Sequence, residues 1–518
     1  MIEPRYDVVI AGGGHNALVA AGYLARAGRQ VLVLERLDHV GGAAVSAHAF
    51  DGVDARLSRY SYLVSLLPRR IVEDLGVRIR LARRRYSSYT PNPADAGATG
   101  LLIGPQRTFA AIGADADEKQ FDEFYRRCRI LTQRLWPTLT GPLPTREEAR
   151  KLVVGDGDPD AAAAWDAIMC HPIGEAIVDA VENDLVRGVM VTDALIGTFA
   201  RADDESLSQN ICFLYHLIGG GTGDWDVPVG GMGAVSGALA AAAEGHGAHL
   251  ATNAEVTSIE PDGAVRYRHG GRQHTVVGDL VLAGVTPTVL AQLLGEPKPP
   301  SAPGAQVKVN LMLRRLPRLR DDTVLPEQAF GGTFHINETF GQLDAAYARA
   351  SSGTVPDPLP CEIYCHSLTD PSILSEDLRT AGAQTLTVFG LHTPHQLAAA
   401  DPERMRDRLG SAVLNSLNSV LAEPIQDVLM EDAEGRLCIE VKTTADLEHT
   451  LGMTAGNIFH GSLSWPFAED GEPLDTPARR WGVATEHDRI LLCGSGSQRG
   501  GAVSGIGGHN AAMATLEM

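Results

Sequence analysis

Short unbroken apolar runs alternate with segments of helical spacing along this chain. Residues 6–11 (YDVVIA) and 31–35 (VLVLE) are β-branched and too short for helices, so they read as buried parallel strands. Between them, residues 15–27 (HNALVAAGYLARA) repeat apolar side chains at helical intervals and stop at Gly28, a natural residue beyond a helix end. Strand, glycine turn, helix and strand open a parallel β–α–β unit. From about 115 to 215 the spacing is mostly helical, and Thr145-Arg-Glu-Glu148 predicts a capping box after the break GPLP. Residues 86–97 (YSSYTPNPADAG) read as turns. Strand patterns return over about 250–285, then at 305–315 and 361–391 with the alternating polarity of a mixed sheet. The last thirty residues run strand, glycine-rich loop, helix.

A length of 518 residues predicts two or three packed units. Hydrophobic residues at 44% and charged residues at 21% exclude disorder for the bulk of the chain. With aromatics at only 5% and 56 glycines, the interior must be small and aliphatic, with backbone close to backbone or to a ligand. The net charge of −20 argues against nucleic acid and anionic lipid as partners. The short run Arg83, Arg84 and Arg85 reads as a solvated rim. No run of 18 apolar residues and no signal-peptide pattern is present, so no integral membrane association and a cytoplasmic location are expected. The seven cysteines form no C-x-x-C, and neither disulfides nor a metal site is expected. Cys361 and Cys365 read as packing on one face of a strand.

Candidate chemistry sits in glycine motifs. Gly12-Gly13-Gly14-His15-Asn16-Ala17 fits G-x-G-x-x-[G/A] between a strand and a helix, and Glu35 lies at the end of the next strand. Gly12 permits the tight turn, and Gly14 lets a pyrophosphate reach the helix N–H groups. Ala17 allows close helix–strand packing, and Glu35 suits ribose hydroxyls. Glu35-Arg36 is followed by Gly41-Gly42, a step suited to a chain passing close to a long cofactor. At the other end, Gly494-Ser495-Gly496 and Gly500-Gly501-Ala502-Val503 lead into a helix.

These blocks, with PVGGMGAVSGALAAAA and NIFHG, resemble the phytoene dehydrogenase-related branch of the flavin amine oxidase and phytoene desaturase superfamily over nearly the whole chain. The resemblance implies an α/β fold: a discontinuous Rossmann-like FAD-binding domain with an inserted α+β substrate domain and a helical cover. The FAD-binding domain would comprise 1–80, 225–300 and 455–518, and the substrate and cover domain 81–224 and 301–454. The cofactor implied is non-covalent FAD. Its binding residues would be Gly12, Gly14, Asn16, Glu35, Arg36, Gly41, Gly42, Ala43, Ala44, Val256, Gly494, Ser495, Gly501 and Val503, with Val256 at the adenine. The sequence departs from the pattern at Ser497-Gln498-Arg499-Gly500, where the branch has a His-Pro pair, and at Ala43, where desaturases have Arg.

Members of this branch carry a pyridine nucleotide-disulfide oxidoreductase name, and the residues argue against that activity. The first cysteine is Cys128, and no second dinucleotide motif follows a strand. Gly230-Gly231-Met232-Gly233 reads instead as the opening of a helix. His460 is the one candidate general base, since imidazole takes a proton near neutral pH. Arg499 faces either the flavin end or solvent. The expected activity is hydride removal from, or isomerisation of, a mainly apolar small molecule. An amine oxidase is the alternative, disfavoured by the lack of an aromatic pair beside the C-terminal motif. A third reading is a flavoprotein that serves mainly as a partner-binding or regulatory module with weak or no turnover, alongside a protein partner or as a homo-oligomer. Because one dinucleotide motif serves one dinucleotide, NADH and NADPH should reduce the flavin poorly. Stopped-flow reduction at a typical turnover rate of about 10 per second would reveal a nicotinamide site that the sequence does not show.

Overall fold

The structure is a computed structural model and describes residues 2–155 and 157–518; Met1 and Asp156, inside two of the expected segments, lie outside it. Arg5–Ala11 forms the middle of a seven-stranded sheet. It runs parallel to Val31–Leu34 on one side and to the end of the long strand Arg272–Ala283 on the other. His249–Ala251 and Ile490–Leu492 add two further parallel strands. Antiparallel strands Ala264–His269 and Ala254–Ile259 extend the sheet beyond Arg272–Ala283. Val8, Val9, Ile10, Leu32 and Leu282 are almost fully buried, as strands covered on both faces must be.

The helix His15–Arg26 follows the first strand and ends as its spacing predicts. Ala27 is the cap, Gly28 takes φ +84°, and the Arg29 N–H bonds the Leu24 carbonyl. It is buried nearly all round because the helix Met232–Gly245 and the last helix, Ile506–Glu517, pack along it. The last helix comes so close that a Cβ on Gly508 would lie 1.9 Å from the Asn16 carbonyl oxygen. Much of the glycine and alanine content is explained here: helices approach through small residues.

A second seven-stranded sheet has the order Ile439–Lys442, Val307–Leu313, Gln384–Gly390, Cys361–Tyr364, Thr333–Ile336, Ser88–Pro91, Gly100–Ile103. Its alternation is as the sequence predicts, but both faces are buried. Val307, Val309, Leu311 and Leu313 pack against Leu409, Val413 and Leu417 of the helix Pro402–Val420. Lys308, Asn310 and Thr387 point to the other face and are also buried. Two expectations need correction. Residues 88–91 form a strand where turns are expected, because Ser88, Tyr89 and Thr90 find a partner in Gly100–Ile103 and Pro91 takes the strand's last position. Within 361–391, expected as strands, the strand at Cys361 ends at Tyr364 and the next begins at Gln384, with short helices such as His366–Thr369 and Glu376–Thr380 between, so Cys365 caps the first of these rather than sharing a strand face with Cys361.

Six helices between Asp117 and Ile218 form the cover. The capping box forms: the Thr145 Oγ accepts from the Glu148 N–H at 3.2 Å, and Glu148 accepts from the Thr145 N–H at 2.8 Å. No described helix is long and apolar enough to cross a membrane. Among the described residues every cysteine is a free thiol. The helix contacts generate a paired prediction. Gly508→Val should cost at least about 1–3 kcal/mol by overpacking. Gly237→Ala, on the exposed face of Met232–Gly245 with nothing within 4 Å of the new Cβ, should gain about 0.5–1 kcal/mol. Denaturant unfolding of both variants beside the parent checks the sign of each.

Candidate active site

The first glycine loop is built to receive an anion. Gly12 takes φ +92° where the chain leaves the strand. Gly14, by contrast, has φ −68° and ψ 169°, which any residue adopts, and a Cβ placed on it would meet nothing within 4 Å. The fold does not require glycine there. Open space lies instead at the start of a 12-residue helix whose first N–H groups have no side-chain cap. Glu35 is buried, and its two oxygens accept from the Gly13 N–H at 2.7 Å and the Leu37 N–H at 2.8 Å, which fixes the carboxylate beside the loop. Each oxygen keeps a lone pair for ribose hydroxyls. The Gly41 N–H bonds the Gly13 carbonyl at 2.8 Å, and a Cβ on Gly42 would press on the Gly14 Cα at 3.2 Å. The second motif thus lies directly on the first. These features fit a dinucleotide: an open helix terminus for the phosphates, a fixed acid for the ribose, and backbone without side chains between them.

Neighbouring candidates fall around this loop. Val256 lies in Ala254–Ile259, whose first N–H bonds the Glu35 carbonyl at 2.8 Å, at a register shift in the ladder. Arg36 reaches the Thr450 carbonyl. Asn16 joins the two ends of the chain: its amide donates to Ser495 Oγ at 3.2 Å and accepts from the Gly508 N–H at 3.4 Å. Ala44 is fully buried, and its carbonyl accepts from Ser236. Gly494 bonds the Ala283 carbonyl at the end of the parallel sheet.

A cavity of about 660 Å³ begins where the glycine loops end. Of the candidates, Ala43, His460, Ser495 and Val503 line it together, and His15 and Ala502, not singled out in the sequence, stand beside them. Gly501 stands just outside, packed on Leu463. His460 and Ala502 hold left-handed backbone (φ 66° and 50°), strain of about 1–3 kcal/mol each that marks a built site. His15 Nε2 and His460 Nδ1 are buried without partners. Burial lowers both imidazoles to about 4, so both are neutral at pH 7. Arg499 neither lines this cavity nor faces solvent. It is 1% exposed and donates to the carbonyls of Thr138, Gly141 and Trp481, bracing the C-terminal loop.

The rest of the cavity wall comes from the second sheet and the cover. The helix Asp117–Leu135 presents Phe121, Tyr125, Cys128 and Thr132 from one face. The sheet's buried polar face supplies Lys308, His335, Glu362 and Tyr364. Lys308 Nζ donates to the carbonyls of Ser58 at 2.7 Å and Tyr60 at 2.6 Å, and burial pushes its pKa down to about 7. Arg84 is not a solvated rim residue. It enters the cavity wall and donates to Thr333 Oγ at 2.8 Å, while Arg83 and Arg85 remain exposed beside it. Tyr62 and Tyr364 form an aromatic pair with ring centres 4.8 Å apart. None of these is visible as a motif, because they lie on separate elements of the chain. The one available signal was a charged residue at an inward position of an alternating strand.

Comparison with known proteins agrees with this geometry. Residues 10–69 match the family model described as an NAD(P)-binding Rossmann-like domain. The uncharacterized protein Rv0897c of Mycobacterium tuberculosis is 67% identical, over 99% of this chain and 97% of that one. Pyridine nucleotide-disulfide oxidoreductase domain-containing protein 2 of Rattus norvegicus is 28% identical, over 99% and 93%. A putrescine oxidase structure with bound putrescine shares the fold, with a TM-score of 0.56 at 17% identity, covering 99% of this chain and 98% of that one. The chain belongs to the family of its mycobacterial relative, is similar over its length to the rat oxidoreductase domain-containing protein, and has the fold of the putrescine oxidase.

Proposed function

We propose that the protein binds FAD non-covalently and uses it to dehydrogenate or isomerise a mainly apolar small molecule, without a nicotinamide site. The observation that carries this reading is one cavity of about 660 Å³ whose wall passes from the glycine loops to Phe121, Tyr125, Val189, Ile196 and Phe389. Segments 1–80, 225–300 and 455–518 would hold the cofactor, and 81–224 with 301–454 the substrate. Gly12, Gly14, Glu35, Arg36, Gly41, Gly42 and Val256 would hold the nucleotide end. Ala43, Ser495, Gly501 and Val503 would hold the ring end, with Asn16, Ala44 and Gly494 bracing the loops between. When bound, FAD supplies a two-electron acceptor. The chain's own task is to orient the substrate and exclude water. His15 and His460 stay neutral there and offer hydrogen bonds; an imidazole at about 4 is a poor keeper of a proton at pH 7. We place the protein in the cytoplasm, meeting its substrate in solution or from a protein partner.

Amine oxidation is the second reading, favoured by the Tyr62–Tyr364 pair. Two basic groups oppose it. Lys308 Nζ lies 4.8 Å from the centre of the Tyr62 ring, and the Arg84 guanidinium 5.8 Å from that of Tyr364. With its pKa near 7 the Lys308 amine is charged about half the time at pH 7, and Arg84 is a full cation, so a protonated amine would meet their charge. Anaerobic mixing with apolar alkenes and alcohols on one side, and alkylamines on the other, decides between them. Bleaching of the flavin by amines alone would overturn the first reading.

Purified protein should carry about one flavin per chain, released by heat or acid. Gly14→Leu should fold with the thermal stability of flavin-free parent protein but remain colourless, because its side chain enters open space that the phosphates need. Yellow Gly14→Leu protein would sink the assignment, and colour that stays on the denatured chain would sink non-covalent binding.

A further inference from the structure

The cavity wall holds a group of acids that the proposed dehydrogenation does not use. His335 and Glu362 are directly paired across neighbouring strands, so their side chains share one face. Glu338 follows the end of the first of these strands, and Thr192 arrives from the turn after the helix Asp184–Val191. Glu338 and Glu362 are each 1% exposed. Thr192 Oγ lies 2.8 Å from Glu338 Oε2 and 3.2 Å from Glu362 Oε1.

A hydroxyl carries one proton. Thr192 can therefore donate to only one of the two carboxyl groups. The other contact is a hydrogen bond only if that carboxyl is itself protonated and donates to the hydroxyl oxygen. Two carboxylates on one hydroxyl would leave one contact repulsive, in surroundings where an unpaired charge costs several kcal/mol. Among the described residues no side-chain cation is hydrogen-bonded to either carboxyl group. Arg84 is the nearby guanidinium, and it donates to Thr333 and to the Trp225 carbonyl rather than to a carboxylate. Asp193 adds a third acid and Cys361 only a thiol. His335 Nδ1 meets Thr90 at 3.1 Å, and its Nε2 stands 4.0 Å from Glu362, beyond hydrogen-bond reach. Tyr364, which lines the cavity, donates to the remaining Glu362 oxygen at 2.5 Å.

We propose that Glu338, Thr192 and Glu362 hold one proton between them as a carboxylic acid–carboxylate pair, and that the Tyr364 hydroxyl is the gate through which this proton exchanges with the cavity. Burial is the chief cause that pushes both carboxyls upward, Glu362 to about 7 and Glu338 well above the usual range. Two such groups titrate as a unit, and between the two steps the pair holds one proton. Burial and Arg84 press His335 down to about 3, so it supplies no counter-charge. Exchange conserves charge and moves no electrons. A donor in the cavity gives a proton to the Tyr364 oxygen while the proton of Tyr364 passes to Glu362. The use of this acceptor for the proton that a substrate loses rests on the proposed dehydrogenation, whereas the pair itself does not.

Infrared spectroscopy of the purified protein tests the pair without a substrate and whether or not flavin is bound. At about pH 7.5, well above the ordinary glutamate range, wild-type protein should keep the C=O band of a buried carboxylic acid, shifted in D₂O. Glu338→Gln should remove that band, because Glu362 then ionises beside a neutral amide. Tyr364→Phe should keep it and slow its exchange into D₂O tenfold or more, which a merely structural tyrosine would not do. No such band in the wild type, or a band untouched by Glu338→Gln, would overturn the pair. Unchanged exchange in Tyr364→Phe would overturn the gate. Elemental analysis completes the test: one equivalent of divalent metal held by His335, Glu338 and Glu362 would show that a cation, not a proton, balances the acids.

Discussion

The contact between the two ends of the chain is the constraint on which the rest depends. The helices His15–Arg26 and Ile506–Glu517 pack so closely that Gly508 has no room for a side chain. Asn16 ties the first glycine loop to Ser495 and to Gly508 across more than four hundred residues. Through this contact a phosphate-type loop at the N-terminus and a glycine-rich loop at the C-terminus become walls of one space. Everything inserted between them can then build a chamber on that space without disturbing it. Arg499 extends the same logic: a fully buried guanidinium on three carbonyls anchors the C-terminal loop to the cover.

Much of the end that carries the glycine loops was legible in the sequence because local rules specify it. A glycine turn between strand and helix, an acid at the end of the next strand, and a helix stopped at Gly28 depend on neighbours along the chain. The fold around that end followed from the same cues. Ser88–Pro91 did not, because a strand beside Pro91 and Asn92 exists only when a distant partner completes its ladder.

The chamber was less legible for a related reason. Lys308, Arg84, Tyr62, Glu362 and Thr192 come from five separate stretches, and the only local signal among them is a charge at an inward strand position, as at Lys308 and Glu362. Arg84 illustrates the difficulty. Its neighbours Arg83 and Arg85 are exposed, as a short basic run suggests, while the middle residue turns inward because a strand-like segment alternates its sides. His460 was a candidate in the sequence and lines the cavity, but its protonation was not legible, since that depends on burial created by other segments.

The strand Val307–Leu313 separates two unlike interiors, aliphatic on one side and polar on the other. In a half-solvated sheet, a slip by one residue exposes apolar groups to water and hides polar ones. Here the same slip would drive the Lys308 ammonium and the Asn310 amide into the packing of Leu409, Val413 and Leu417. It would also take from the Ser58 and Tyr60 carbonyls their Lys308 donor and from Glu440 its Asn310 donor. Misalignment is thus rejected from both sides at once. The polar residues that furnish the chamber also act as an indexing device, so the alignment of the second sheet and the shape of the chamber are specified by the same side chains.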